Sequence, residues 1–196
     1  MELSLGSAQA VLEVAEKHEF QIWHAVGTCL QGAGLASTGR VEEGLAQIQA
    51  GMDSYQELKS PPIFWPLLRS LQAEVCRLAG KPEQGLALLE DIPMPPNKGY
   101  GSTLLVGIMQ IKGDLLLAQS PDKPSEAETW FLNALEIAQE QGAIMLELRA
   151  AISLTRLWQH TDKVEQGRRL LSEAYAKFTE GFTMPDLMEA RKLLNG

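Results

Sequence analysis

Cysteine is scarce in this 196-residue chain. Cys29 and Cys76 are the only two, too few for a disulfide framework. Both stand among apolar neighbours in stretches of helical pattern, where a free thiol behaves as a small hydrophobe, and that usage points to a reducing compartment. Positive charge is also in short supply: 17 Lys and Arg face 25 Asp and Glu, a net charge of −8. The deficit is concentrated early, since residues 1–59 carry 8 acids and 3 bases while residues 60–120 hold 5 of each. Phosphate backbones and anionic lipid repel such a chain, which argues against nucleic acid or a membrane surface as partner. No long apolar run is present. The most apolar stretch, "STLLVGIMQIKGDLLLA", is broken by Gln110, Lys112 and Asp114, too polar for a membrane span. The N-terminus has no basic start leading into an apolar run, so no signal peptide is expected and the cytoplasm is the expected location. Strand patterning is missing too. Val and Ile are sparse beside Leu and Ala, and the residues in excess are those that lose least entropy in a helix.

What is there is a repeat. "STGRVEEGLAQI" and "LAGKPEQGLALL" share a frame of Gly, a basic residue, a polar residue and Gly-Leu, and the frame recurs at "SPDKPSEAETWF" and "QHTDKVEQGRRLL". Its small residue is Gly44, Gly85, Ala127 and Gly167, spaced by 41, 42 and 40 residues. Four positions later the residue is always apolar: Ile48, Leu89, Phe131 and Leu171. Each frame reads as the turn into a helix. Ser125 with Glu128, and Asp162 with Glu165, have capping-box spacing. Apolar residues then follow helical periodicity, as in Ala127, Phe131, Ala134, Leu135 and Ala138. Before each frame lies a helix apolar around most of its girth, roughly 21–38, 63–79, 102–118 and 145–159.

The unit is therefore a helical hairpin, and the small residue lets its two helices approach closely. One hairpin cannot bury its apolar surface alone, so neighbours are expected to stack. The expected fold is all-α, an α-α superhelix of about four hairpins (roughly 21–58, 62–91, 101–141 and 144–179) forming a single domain over 1–196. An N-terminal helix from Ser7 to His18 precedes the hairpins. A capping helix over 184–194 follows them, with Thr183 as its N-cap and Pro185 tolerated in the first turn. The Pro-rich piece 91–101 is the one notable loop, where Met94, Pro95, Pro96 and Tyr100 offer an apolar surface to a partner.

Catalytic signatures are absent from the sequence. "LAGKPEQG" lacks the glycine that a phosphate-binding loop needs before its Gly-Lys. His18, His24 and His160 are not spaced as a metal set, and nothing marks a nucleophile. No enzyme activity, metal or cofactor is expected. Charges inside "QGAIMLELRAAISLTRLW" need a role instead. Glu147 lies among Ala143, Ala150, Ala151 and Leu154, so it is expected to be partly buried as a tie between hairpins, paired with Lys112, Arg168 or Arg169. Arg149 points the other way, about 200° around the helix. It aligns with Ser153, Arg156 and His160 in a stripe opposite the Ile144, Leu148, Ala151 core stripe. That stripe is either the lining of a concave groove or a solvated face. Trp23, Trp65, Trp130 and Trp158 occur about once per hairpin and read as core filling, with peptide anchors as the alternative.

These stretches carry a resemblance. "GRVEEGLAQI", "AGKPEQGLALLE", "IKGDLLLAQ", "ALEIAQEQGAIMLELRAAISLTRLW" and "LLSEAYAKFTEGFTMPDLMEARKLL" make the chain similar to the tetratricopeptide-type C-terminal region of bacterial signalling proteins. In those, a nucleotide cyclase or a kinase is joined to an AAA-type ATPase. One departure is "NKGYGSTLLVGIMQ", where the family usually has an acidic, Trp-containing lead into the helix. The resemblance implies a non-catalytic module that docks a protein segment or another domain of the same protein. A small-molecule effector sensor is the alternative implied, and self-association as a homodimer is a third.

Overall fold

The computed structural model describes residues 5–59, 63–90, 92, 103–122 and 124–195. Among these are ten α-helices and no strand: α1 (Leu5–Lys17), α2 (Gln21–Ser37), α3 (Val41–Glu57), α4 (Trp65–Leu78), α5 (Pro82–Glu90), α6 (Thr103–Gln119), α7 (Pro124–Glu140), α8 (Ile144–Trp158), α9 (Val164–Tyr175) and α10 (Pro185–Asn195). The all-α expectation and its helix boundaries match closely. The chain divides into two compact units, Met1–Pro93 and Met94–Gly196. The Pro-rich loop surface at Met94, Pro95, Pro96 and Tyr100 lies outside the described residues.

In the first unit α2 packs on α1, α3 and α4, and α4 packs on α5. In the second, α7 bridges α6 and α8, α8 also packs on α9, and α10 rests on both α8 and α9. Hairpins α2–α3, α4–α5, α6–α7 and α8–α9 are the repeat seen in the sequence. Within each unit the first helices of successive hairpins touch, α2 with α4 and α6 with α8. Gln110 of α6 is buried and donates from Nε2 to the Leu146 carbonyl of α8 at 3.0 Å, so its amide is satisfied across that contact.

The repeat positions all face inward. Gly44, Gly85, Ala127 and Gly167 are buried, and so are Ile48, Leu89, Phe131 and Leu171 four residues on. At Gly44 the reason is close approach. A Cβ there would lie 2.5 Å from the Gly32 carbonyl oxygen and 2.8 Å from the Ala36 Cβ. Gly32, Gly44 and Gly51 thus let the α2 and α3 backbones meet along a seam.

Helix α8 feeds two cores. Ala150, Leu154 and Trp158 pack with Phe131, Ala134 and Ala138 of α7. Leu148, Ala151 and Ile152 pack with Leu171, Ala174, Leu187 and Ala190 of α9 and α10. That two-sided burial explains why its sequence is apolar around most of its girth. Ile144, expected in the core stripe, is instead 41% exposed in the first turn.

Four helices end alike. A residue with left-handed backbone follows α1, α2, α4 and α7: Glu19 (φ 55), Gly39 (φ 91), Gly80 (φ 67) and Gly142 (φ 63). The next N–H then reaches back five residues, Phe20 to Ala15, Arg40 to Leu35, Lys81 to Cys76 and Ala143 to Ala138, at 2.8–3.1 Å. These are Schellman caps, and three use the glycine that the conformation favours. Glu19 departs from that rule. Replacing it with Gly relieves a left-handed penalty of about 1–2 kcal/mol, and the extra freedom Gly brings to the unfolded chain takes back about 0.5–1 kcal/mol. Glu19→Gly is therefore expected to raise the urea midpoint by a small margin; a lowered midpoint would refute this account of the turn.

The expected capping boxes do not form. Ser125 lies inside α7, one residue past its start at Pro124, and α9 begins at Val164 with Lys163, not Asp162, in the cap position and no side-chain cap bond. Glu128 accepts instead from the Trp158 indole N–H at 2.9 Å and from the Lys163 ammonium. Met184, not Thr183, directly precedes α10, and its carbonyl accepts from the Met188 N–H.

Candidate functional site

The stripe expected to line a groove is where the second unit closes on itself. Arg149 donates from Nε and Nη2 to one carboxylate oxygen of Asp186, at 2.9 and 2.7 Å. Arg156 pairs with Glu189 one turn further along α10. Leu187, between those carboxylates, and Ala190, next to Glu189, enter the core beneath. The two arginines are seven residues apart and their partners three, so crossing helices bring matched charges together on one side of a buried apolar row. Ser153 is half-buried, and His160 is exposed beyond the last residue of α8. Of Arg149, Ser153, Arg156 and His160, the two arginines are thus paired with carboxylates of α10.

Glu147 is 3% exposed. Both its oxygens accept from the Lys177 ammonium, at 2.7 and 2.6 Å, and Oε1 also accepts from Gln139 Nε2 at 3.1 Å. The carboxylate therefore links α7, α8 and the segment after α9, across two hairpins. Its partner is none of the three expected. Lys112 lies 4.4 Å from the Trp130 ring centroid as a cation–π contact, and Arg169 pairs with Glu173 on its own helix. Arg168 is exposed.

The groups that could do chemistry are few. Burial pushes the Cys29 thiol up to about 12, and it raises the Cys76 thiol too, with Lys81 partly offsetting it. Both thiols stay protonated at neutral pH, and the thiolate is the reactive form. Among the described residues no group of three or more His, Cys, Asp or Glu is placed to hold a metal ion. No described helix is long and apolar enough to cross a membrane.

The first unit carries a surface that the sequence reading did not single out. Val14, Phe20, Trp23 and Ile63 are 54, 51, 49 and 72% exposed. Trp23 is thus no core residue; only Trp158 of the four tryptophans is buried, with Trp65 and Trp130 intermediate. Phe20 follows the left-handed Glu19 in the α1–α2 turn, where the Schellman geometry aims the side chain back over α1. Trp23 sits one turn into α2 and packs at 5.2 Å, ring to ring, against Phe64.

Three clefts meet at Phe20. One of about 400 Å³ is lined by Val11, Val14, Ala15 and Trp23 and is apolar throughout. A second, about 590 Å³, runs from Glu19 and Gln21 past Trp23 and Leu58 to Ile63 and Phe64. The third, about 530 Å³, also borders Phe20 and is lined by Glu16, Glu19, Glu57, Ser54 and His24. None has a lysine or arginine among its described lining residues. Helical periodicity could not have grouped these residues, because Val14 is in α1, Phe20 in the turn and Trp23 in α2. Compared with known proteins, the chain matches no family model, no characterised protein and no solved structure.

Proposed function

We propose that this chain is a non-catalytic helical-repeat docking module, a tetratricopeptide-type superhelix that binds a protein segment inside the cytoplasm. Its setting would be that of the proteins it resembles, a bacterial signalling chain in which the array connects a partner to an output domain. The observation that carries the reading is the exposed apolar surface at Phe20, Trp23 and Ile63. Side chains of this size are normally withdrawn from water, and contiguous exposed patches of them mark interaction sites. Aromatics are also the residues that anchor interfaces most strongly. Docking is favoured over effector sensing because the clefts open side by side onto one surface, and the arginine stripe that would have held a small anion is already paired within the chain.

The test is a photo-crosslinking residue placed at position 23, with the same residue at exposed Arg168 of α9 as control. A discrete partner captured from position 23, absent from position 168 and lost on Phe20→Ala, is the expected result. Identical products from both positions, or none from position 23, would reject the docking role of this surface.

A further inference from the structure

The chemistry around Phe20 narrows the partner. We propose that the surface takes a cationic amphipathic segment of another protein. A Lys or Arg side chain would enter the carboxylate-lined cleft, and two large apolar side chains would fill the two neighbouring clefts at Phe20. This rests on the docking reading above and specifies its ligand. Phe20 borders all three: Glu16, Glu19 and Glu57 line one cleft, Val14 and Trp23 line another, and Trp23 and Ile63 line the remaining one, with Glu19 shared between the first and the last of these. A ligand that fills all three clefts must present one positive group beside two hydrophobes, the spacing an amphipathic helix provides at its polar–apolar boundary.

Charge complementarity selects among occupants. The first 59 residues carry 8 acids against 3 bases, so the field around the patch attracts cations and steers them in. An anionic lipid surface would face the same carboxylates and be repelled. A second copy bound symmetrically through this surface would bring both copies of Glu16, Glu19 and Glu57 into one interface that has no lysine or arginine among the described residues lining its clefts to offset them. Glu19 adds a separate reason. Where three comparable turns use Gly39, Gly80 and Gly142, this one keeps a carboxylate in a left-handed conformation. Such local strain is retained where a side chain has a task.

The probe is a fluorescein-labelled Leu/Lys amphipathic helical peptide, followed by anisotropy on the full chain, beside the same peptide with every Lys replaced by Glu. Saturable one-to-one binding of the Leu/Lys peptide is expected, with the Leu/Glu peptide weaker by about tenfold or more. Trp23→Ser, and separately Glu16→Gln with Glu19→Gln and Glu57→Gln, should each weaken the Leu/Lys peptide by about tenfold. Glu19→Gly should give a chain that is more stable yet binds less well. If Trp23→Ser loses helicity by circular dichroism, Val14→Ser takes its place.

Equal binding of both peptides, unaffected by the three glutamines, would overturn the cationic ligand and leave the docking surface standing. Binding lost with the glutamines but untouched by Trp23→Ser would mean diffuse charge attraction, and would also overturn it. So would failure of both peptides to bind, sedimentation of the chain as a dimer that Trp23→Ser dissolves, or Trp23-dependent binding to phosphatidylglycerol vesicles. The crosslinking result decides the docking role independently of all of these.

Discussion

Gly44→Ala is expected to destabilise the first unit by about 2 kcal/mol, while Gly107→Ala, the same one-carbon change, is expected to stabilise the second by about 0.5–1 kcal/mol. Both glycines are inside helices, α3 and α6, so both gain the same intrinsic helix propensity from a methyl group. What differs is the space. A Cβ at Gly107 meets nothing within 4 Å. At Gly44 it meets the carbonyl oxygen of Gly32 at 2.5 Å, and that atom is backbone in the middle of α2, not the free end of a side chain. The clash is relieved only by moving two helices apart. That opens the packing of Cys29, Ala36, Ile48 and Met52, which share this core. For a unit of this size the loss corresponds to about 10 °C in melting temperature. Adding Gly32→Ala to Gly44→Ala should cost less than the two singles summed, because the helices separate once. A Gly44→Ala chain melting at or above the unsubstituted temperature would show that the seam is not tight.

The contrast between those two glycines measures what the sequence can disclose. Recurrence at about 40-residue spacing marks Gly44, Gly85, Ala127 and Gly167 as one structural position, and the buried residue four places on confirms the helical face. Nothing local separates Gly44 from Gly107 or Gly113, since closeness of approach depends on the partner helix. Gly113 is empty of side chain because the buried Phe131 ring occupies that place, with Cε1 2.4 Å from where a Cβ would be. The caps failed for a related reason. A shift of one or two residues at a helix start moves a capping side chain out of reach, and such boundaries are the least determined part of a periodic pattern. Phe20 and Trp23 were legible as large and apolar, yet their exposure follows from which helices α1 and α2 leave uncovered. Periodicity locates a face and is silent about what lies over it.

Glu147 shows the same limit and leads to the second large effect. Its burial could be inferred from the small apolar residues beside it; its partner could not, because Lys177 lies 30 residues downstream past the end of α9. The two sides of this pair are unequal. Glu147 is almost wholly enclosed, whereas 44% of the Lys177 side chain remains accessible. Lys177→Met strands a buried carboxylate with the Gln139 amide as its one remaining side-chain partner in this network, and is expected to cost about 2–4 kcal/mol. Glu147→Gln removes the charge from the enclosed side. The freed ammonium turns into water and the new amide still meets Gln139, so the expected cost is about 1 kcal/mol, within the range for partly screened pairs. Replacing both, Glu147→Leu with Lys177→Met, removes the stranded charge and should recover much of the loss seen in Lys177→Met alone. Urea denaturation at neutral pH gives the order directly. If Glu147→Gln proves the costlier single change, the carboxylate is better solvated than its enclosure implies. If the double variant is as unstable as Lys177→Met, the pair contributes through its shape within the α7–α8 junction, and the charge on Glu147 is incidental to how the hairpins hold together.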